Sequence, residues 1–246
     1  AKRTYRSTSN KESQAPRRVI ANGLQRTYRS RSVCVWVWHG LQKLLAQLPR
    51  HFRGCSMSPS VAIIGGSGLD ELSTMQNANE IQPMTRFGKP SGAVVEGRFG
   101  NQRIFFLPRH GHNHTIPPHQ INYRANIAAL ADLGVENVIA VTAVGGIVPT
   151  TPPRKLVIPD QIIDYTHSRE HTFSDGFDNT VEHIDFTYPY SQRLREELIR
   201  AGREINIDLE STGTYGATQG PRLETAAEIA RMQQDACSVV GMTGMP

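Results

Sequence analysis

Cysteine, tryptophan and long apolar runs are all scarce in this sequence. Of its three cysteines, Cys34 and Cys55 lie near the N-terminus and only Cys237 lies further along, which leaves no disulfide framework and no metal-ligand spacing. The longest apolar stretch, over 33–48, is interrupted by polar residues. It is shorter than the about 20 apolar residues that cross a bilayer. We therefore expect a cytoplasmic protein that is not embedded in a membrane.

Acidic residues are almost absent from the first part of the chain. Residues 1–56 contain 12 Lys and Arg but one acid, Glu12, whereas residues 57–246 contain 15 basic and 21 acidic residues. The net charge of +5 is therefore the sum of +11 at the N-terminus and −6 in the rest. The basic character belongs to the extension, so it does not indicate nucleic-acid binding by the larger part of the chain.

The basic extension allows three interpretations. It is rich in Arg, Ser and Thr and repeats Arg-Thr-Tyr-Arg-Ser at 3–7 and 26–30. It could be an organelle transit peptide, a basic arm that binds nucleic acid, or upstream sequence foreign to the mature protein. We expect the third, because Met57-Ser58-Pro59-Ser60 leads directly into the first strand, as a native start would. The predicted division is a disordered or non-native extension over 1–56 and one enzyme-sized domain over 57–246.

From Met57 onward, short apolar runs alternate with helical stretches, which predicts an α/β domain built on a largely parallel sheet. The predicted strands are Val61–Ile64, Val94–Phe99, Arg103–Leu107, Asn137–Thr142, Leu156–Asp164 and Ser238–Met242. The predicted helices are Asn122–Leu133, Tyr190–Glu204 and Glu224–Gln234.

Glycine and polar residues follow four of these strands. Gly65-Gly66-Ser67-Gly68 follows the first, and backbone N–H groups of such a turn can face an anion. Arg109 and His110 follow the third, and the guanidinium fork matches phosphate oxygens. Thr142 and Thr243 follow two more strands. Because the carboxyl ends of parallel strands share one edge, these residues together predict an oxyanion site.

Other ligands fit these motifs less well. The glycine-rich turn lacks the Lys of a P-loop and the third Gly of a dinucleotide fingerprint, and by itself it could be a plain turn between strand and helix. His110, His112 and His114 could suggest a metal, but no carboxylate or cysteine accompanies them. We expect neither a metal nor an organic cofactor.

Six motifs resemble, in order, those of the 5′-methylthioadenosine phosphorylases, and most closely the bacterial S-methyl-5′-thioinosine phosphorylases. They are Ile63 to Leu69, Arg109 to His114, Asn122 to Asn126, Thr142 to Gly146, Gly220 to Thr225 and Gly241 to Pro246. The resemblance covers 57–246 and none of 1–56. It implies a single-domain nucleoside phosphorylase fold with a central mixed, largely parallel sheet flanked by helices, assembled as a homotrimer, with no nucleic-acid or membrane partner.

The resemblance also implies the roles of individual residues. Phosphate, the co-substrate, would be bound by Ser67, Arg109, His110, Thr142, Ala143 and Thr243. The nucleoside would be bound by Val144, Gly145, Leu223, Glu224, Gly241, Met242 and His183, the last reaching the 5′ end of a neighbouring subunit's substrate. Leu223 and Met242 could instead be ordinary packing residues, and His183 a surface residue.

Phosphorolysis requires phosphate held beneath C1′, an oxocarbenium-like transition state beside the dianion, and a hydrogen bond or proton at purine N7. In the family, the N7 donor comes from a strand that would lie beyond Pro246, so we assign no catalytic residue within the chain. We expect the domain to be incomplete at its C-terminus. A catalytically incompetent fragment that binds only phosphate or nucleoside is therefore the alternative of a different class.

Glu224 determines the expected base. In the related phosphorylases of 6-oxopurines a Glu at this place accepts a hydrogen bond from N1–H, whereas adenine presents a lone pair there. Alternatively, Glu224 could simply lie in the first turn of the following helix, where an acidic side chain interacts favourably with the helix dipole. We expect phosphorolysis of S-methyl-5′-thioinosine to hypoxanthine and 5-methylthioribose 1-phosphate. The alternatives are a 5′-methylthioadenosine phosphorylase and a general 6-oxopurine nucleoside phosphorylase.

Overall fold

The structure is a computed structural model of the chain, and it describes residues 60–67, 69, 75–100, 102–174 and 183–246. The predicted basic extension over 1–56 lies outside the described residues, so its assignment stays a prediction. Within the described ranges, no helix is both long enough and apolar enough to cross a membrane.

The first sheet has five strands in the order β2-β3-β4-β1-β5. Their bounds are β1 Val61–Gly65, β2 Gln76–Ile81, β3 Val94–Phe99, β4 Gln102–Pro108 and β5 Asn137–Ala140. Strand β1 runs parallel to β4 and β5, whereas β2 and β3 are antiparallel neighbours at one edge. All five residues of β1 are buried, as expected of an apolar strand between two parallel neighbours.

A second sheet has four strands in the order β6-β11-β10-β8. Their bounds are β6 Gly145–Gly146, β8 Gln161–Asp164, β10 Thr214–Ala217 and β11 Cys237–Gly241, and a separate parallel pair joins β7 Leu156–Val157 to β9 Leu209–Glu210. Strand β10 is parallel to both β8 and β11. The mixed, largely parallel α/β fold is thus confirmed, with its strands divided between two main sheets.

One predicted strand is divided. Leu156–Asp164 was expected to be continuous, but β7 ends at Val157 and β8 begins at Gln161. Pro159 lies between them, and proline cannot donate to a strand ladder. The chain leaves the β7–β9 pair here and enters the second sheet.

Three helices within the described residues each begin at a capping side chain. They are α1 Tyr123–Asp132, α2 Gln192–Glu204 and α3 Ala226–Gln234. Asn122 and Ser191 accept from backbone N–H groups at the starts of α1 and α2. Thr225 and Glu228 form a reciprocal capping box at α3. These polar caps explain why the helices begin where they do.

The core follows the two faces of the first sheet. Because alternate strand residues face opposite sides, Ile63 and Phe106 pack on one face, while Ile64 and Phe105 pack on the other with Leu130 of α1. The second sheet has a core of its own around Tyr215, Ala217 and Val239. Both sheets are therefore stabilised by apolar packing along their strands, and the polar residues of interest follow the carboxyl ends of those strands.

Candidate active site

Arg109 lies just after β4 and beneath the turn that follows β1. Its side chain is 3% exposed, and Nη2 donates to the carbonyl oxygen of Val141 at 2.9 Å. A Cβ at Gly66 would lie 2.0 Å from that nitrogen. Only glycine at 66 therefore leaves room for the guanidinium in this position.

The buried charge of Arg109 is not balanced by an acid. Among the described residues no carboxylate pairs with it, and its buried Nε has no hydrogen-bond partner. Burial lowers the pKa of the guanidinium, while the phenols of Tyr215 and Tyr123 act in the opposite direction. A buried cation without a counter-charge is costly, so this place favours a bound anion.

The histidine loop lies next to Arg109. His110 is 6% exposed, and its Nδ1 lies 2.8 Å from the carbonyl oxygen of Ile116, so Nδ1 carries the hydrogen. The rings of His110 and His114 lie 4.1 Å apart. Ser67 Oγ is 3.3 Å from His114 Nε2, which brings the β1 turn against this loop. His114 is thus a neighbour of the predicted phosphate residues that the sequence analysis did not include.

Thr142 and Thr243 meet although they follow strands of different sheets. Their Oγ1 atoms are 3.0 Å apart, so the ends of β5 and β11 converge as expected, but between two sheets and not along the edge of a single one. Ala143, next to Thr142, is exposed. Two hydroxyls are therefore held together close to Val141, whose carbonyl oxygen accepts from Arg109.

Tyr215 of β10 was missed by the sequence analysis. It is 4% exposed, and its hydroxyl has no hydrogen bond of normal geometry among the described residues, although Thr142 and the backbone of Thr243 lie near it. Burial is the main cause of its raised pKa. A Cβ at Gly241 would lie 2.1 Å from this hydroxyl, so glycine at the end of β11 admits the ring. No sequence signal pointed to Tyr215, because β10 was not recognised as a strand.

Arg169 is a second buried arginine that the sequence did not reveal. It is 7% exposed and has no carboxylate partner among the described residues. Its donors bind the side chains of Gln219 and Tyr123 and the carbonyl oxygens of Thr218, Gln219, Met242 and Met245. Arg169 therefore ties the chain after β10 to the chain after β11.

With one exception, the residues predicted to bind the nucleoside lie in β6 or β11 or in the segments beside β6, β10 and β11. Gly145 lies in β6, Gly241 ends β11, and a Cβ at Gly220 would lie 2.5 Å from Met242 Sδ. Leu223 is 61% and Val144 38% exposed, so neither is a core residue. Glu224 is half-buried and accepts from Thr218 Oγ1 at 2.6 Å.

His183 is the exception. It is exposed, and no hydrogen bond or ring contact is present between it and the other predicted site residues in the part of the chain described. The side chains after it are exposed as well, with Ile184 at 70%, Phe186 at 50% and Tyr188 at 82%.

No cluster of three or more His, Cys, Asp or Glu side chains suited to a metal ion is present in the described ranges. His110 and His114 instead contact Ile116, Ser67 and each other. The only cysteine in these ranges, Cys237, is buried and free. What the geometry offers is hydroxyls, an imidazole and an uncompensated guanidinium, which is a donor set for an oxyanion.

One known protein family and several known sequences are similar to this chain. Residues 60–246 match the family model described as the Phosphorylase superfamily. The chain is 51% identical over 187 residues to a probable S-methyl-5′-thioinosine phosphorylase of Xylella fastidiosa, covering 76% of this chain and 79% of that protein. It is 46% identical over 193 residues to a 6-oxopurine nucleoside phosphorylase of Pyrococcus furiosus, covering 76% and 72%.

An adenosine-type relative and a solved structure are also similar. The chain is 44% identical over 193 residues to an S-methyl-5′-thioadenosine phosphorylase of Hyperthermus butylicus, covering 78% of this chain and 69% of that one. A methylthioadenosine phosphorylase from Schistosoma mansoni in its apo form superimposes with a TM-score of 0.72 at 33% identity, covering 76% of this chain and 72% of that chain.

Proposed function

The chain belongs to the Phosphorylase superfamily, and on that premise we propose that it cleaves S-methyl-5′-thioinosine with inorganic phosphate. It is an enzyme of the purine nucleoside phosphorylase type, a pentosyltransferase. A phosphate oxygen forms a bond to C1′ while the C1′–N9 bond breaks and its electron pair passes to the purine. The purine gains one proton, which is balanced by the proton that hydrogen phosphate loses on becoming the ester. The products are hypoxanthine and 5-methylthioribose 1-phosphate, and no organic cofactor takes part.

The buried, acid-free guanidinium of Arg109 is the observation that carries this proposal. Phosphate supplies the missing counter-charge and an acceptor for the unpartnered Nε. Ser67, His110, Thr142, Ala143 and Thr243 complete the proposed phosphate site, in which the two threonine hydroxyls contact each other and Ser67 contacts the histidine loop.

These residues position phosphate and, through it, contribute electrostatic stabilisation. Phosphate held beneath C1′ acts as a nucleophile of high effective concentration. Its negative charge also stabilises the oxocarbenium-like sugar as the bond to the purine breaks. Within this chain we assign binding and orientation to the residues above, and we assign no donor for purine N7.

Glu224 supports hypoxanthine as the base. Its carboxylate can accept a hydrogen bond from N1–H of a 6-oxopurine, whereas the N1 lone pair of adenine would face a second acceptor. Leu223 and Val144 offer exposed apolar surface for the purine. Met242, which is half-buried, would lie against the ribose. The name of the Xylella relative agrees with this choice, whereas that of the Hyperthermus relative favours the adenine nucleoside.

We further propose that three copies form the working enzyme and that His183 contacts the methylthio group of a neighbour's substrate. The support is the group of exposed large side chains that follows His183, namely Ile184, Phe186 and Tyr188, since side chains of this kind are covered at subunit interfaces. Residues 57–246 form the proposed catalytic domain.

A steady-state competition between two nucleosides tests the proposal. With phosphate saturating, we expect kcat/KM for methylthioinosine to exceed that for methylthioadenosine at least about tenfold, the value of one hydrogen bond made or missed. A preference for methylthioadenosine would assign the alternative substrate. Saturable binding of nucleoside and phosphate without turnover would instead favour the binding-only alternative.

A further inference from the structure

Thr218, the residue directly after β10, links the second sheet to the proposed base-reading residue. It is 8% exposed, and its backbone N–H donates to the carbonyl oxygen of Gly241 at 2.8 Å. Its Oγ1 lies 2.6 Å from Glu224 Oε1 and 3.3 Å from the same Gly241 oxygen. One threonine hydroxyl is therefore shared between a carboxylate and a carbonyl group.

The Thr218 hydroxyl donates its single hydrogen to the Glu224 carboxylate. A threonine hydroxyl has one O–H, and a charge-assisted hydrogen bond to a carboxylate oxygen is the stronger of the two. The Gly241 oxygen already accepts from the Thr218 backbone, and its contact with Oγ1 is 0.7 Å longer. Oε1 of Glu224 is thus held as an acceptor.

Arg169 fixes the backbone from which this hydroxyl projects. Its Nη2 donates to the carbonyl oxygens of Thr218 at 3.1 Å and of Gln219 at 2.7 Å. The other charged residue of this segment, Arg222, is exposed and pairs with Glu228. Glu224 therefore receives its described hydrogen bond from a buried neutral donor whose position is set by a buried guanidinium.

We propose that Thr218 is a specificity-determining positioning residue that presents Glu224 to the purine as an acceptor. This inference rests on the proposed function. With Oε1 engaged by Thr218, Oε2 is directed to a ligand donor, which N1–H of hypoxanthine supplies and the N1 of adenine does not. Without the hydroxyl, the carboxyl group is free to rotate, so discrimination between the two bases falls.

The experiment compares Thr218→Val, which removes the hydroxyl at nearly constant shape, with Thr218→Ser, which keeps it. Dissociation constants of methylthioinosine and methylthioadenosine are measured by calorimetry on the full chain without phosphate, so that no phosphorolysis takes place. We expect the affinity ratio of the two nucleosides to fall about 5- to 10-fold in Thr218→Val and to change little in Thr218→Ser. Phosphate affinity should be the same in all three proteins. If Thr218→Val does not fold, Thr218→Ala is measured instead.

A double-mutant cycle separates positioning from general damage. In a Glu224→Ala background, Thr218→Val should leave the nucleoside ratio unchanged, because the carboxylate it orients is gone. An equal loss for both nucleosides in the single variant would overturn the inference, as would an unchanged ratio. If Glu224→Ala removes the preference but Thr218→Val does not, only the role of Thr218 fails. If the unmodified chain shows no preference for methylthioinosine, the proposed function fails first.

Discussion

Replacing Arg109 by alanine should weaken phosphate binding far more than nucleoside binding. The guanidinium is the buried cation of the proposed site, and losing its charge-assisted hydrogen bonds costs about 2 to 3 kcal/mol, or about 30- to 150-fold in the phosphate dissociation constant. The unliganded protein should lose little stability through the charge itself, because an uncompensated buried cation is removed. The change therefore separates ligand binding from folding.

Thermal unfolding with and without phosphate measures this loss. At phosphate concentrations about 100 times its dissociation constant, a ligand stabilises a folded protein by about 2.7 kcal/mol, and a 100-fold weaker site would retain about 0.4 kcal/mol. Arg103→Ala is the matched control, because Arg103 lies on β4, the strand that leads to Arg109, but is exposed and pairs with Glu96. Equal losses for phosphate and nucleoside, or the same loss in the control, would refute the assignment.

Three further outcomes are expected. Gly66→Ala should reduce phosphate affinity nearly as much as Arg109→Ala, because its Cβ would displace the guanidinium; unchanged affinity by calorimetry would contradict this. Tyr215→Phe should leave the melting temperature unchanged or raise it, since the hydroxyl is buried without a well-formed hydrogen bond, and a drop of several degrees would show a hidden partner. His183→Ala should raise KM for methylthioinosine about 5- to 10-fold if its role is packing across a subunit interface, and full activity in a monomer, checked by light scattering, would exclude it.

Much of the first sheet could be predicted from the sequence because its strands are apolar and buried. Two strands, one in each main sheet, could not be predicted in this way. The edge strand Gln76–Ile81 has a polar sequence, and five of its six residues are exposed, so hydrogen bonding to β3 stabilises it rather than burial. Thr214–Ala217 contains a glycine and lacks an apolar run, yet it occupies an interior position in the second sheet. A Cβ at Gly216 would lie 3.1 Å from Cys237 Sγ, which explains the small residue.

Arg109, His110, Thr142 and Thr243 could be placed near one another from the sequence because each stands at a strand end. The sequence did not indicate that these ends belong to two sheets. The partners of Arg169 could not be predicted in this way. Its hydrogen bonds reach residues 46 to 76 positions away, and each partner is a backbone or neutral group that leaves no charge pattern to detect. Tyr215 could not be predicted either, because it lies in β10, whose sequence lacks an apolar run.

The central claim is that phosphate itself becomes part of the sugar product. The direct measurement is ³¹P NMR of the purified chain with methylthioinosine and inorganic phosphate, with hypoxanthine quantified in the same samples. We predict a sugar 1-phosphate resonance that grows in equal amount to hypoxanthine, and no hypoxanthine when phosphate is left out. Hypoxanthine released without phosphate, or without a matching sugar phosphate, would contradict phosphorolysis.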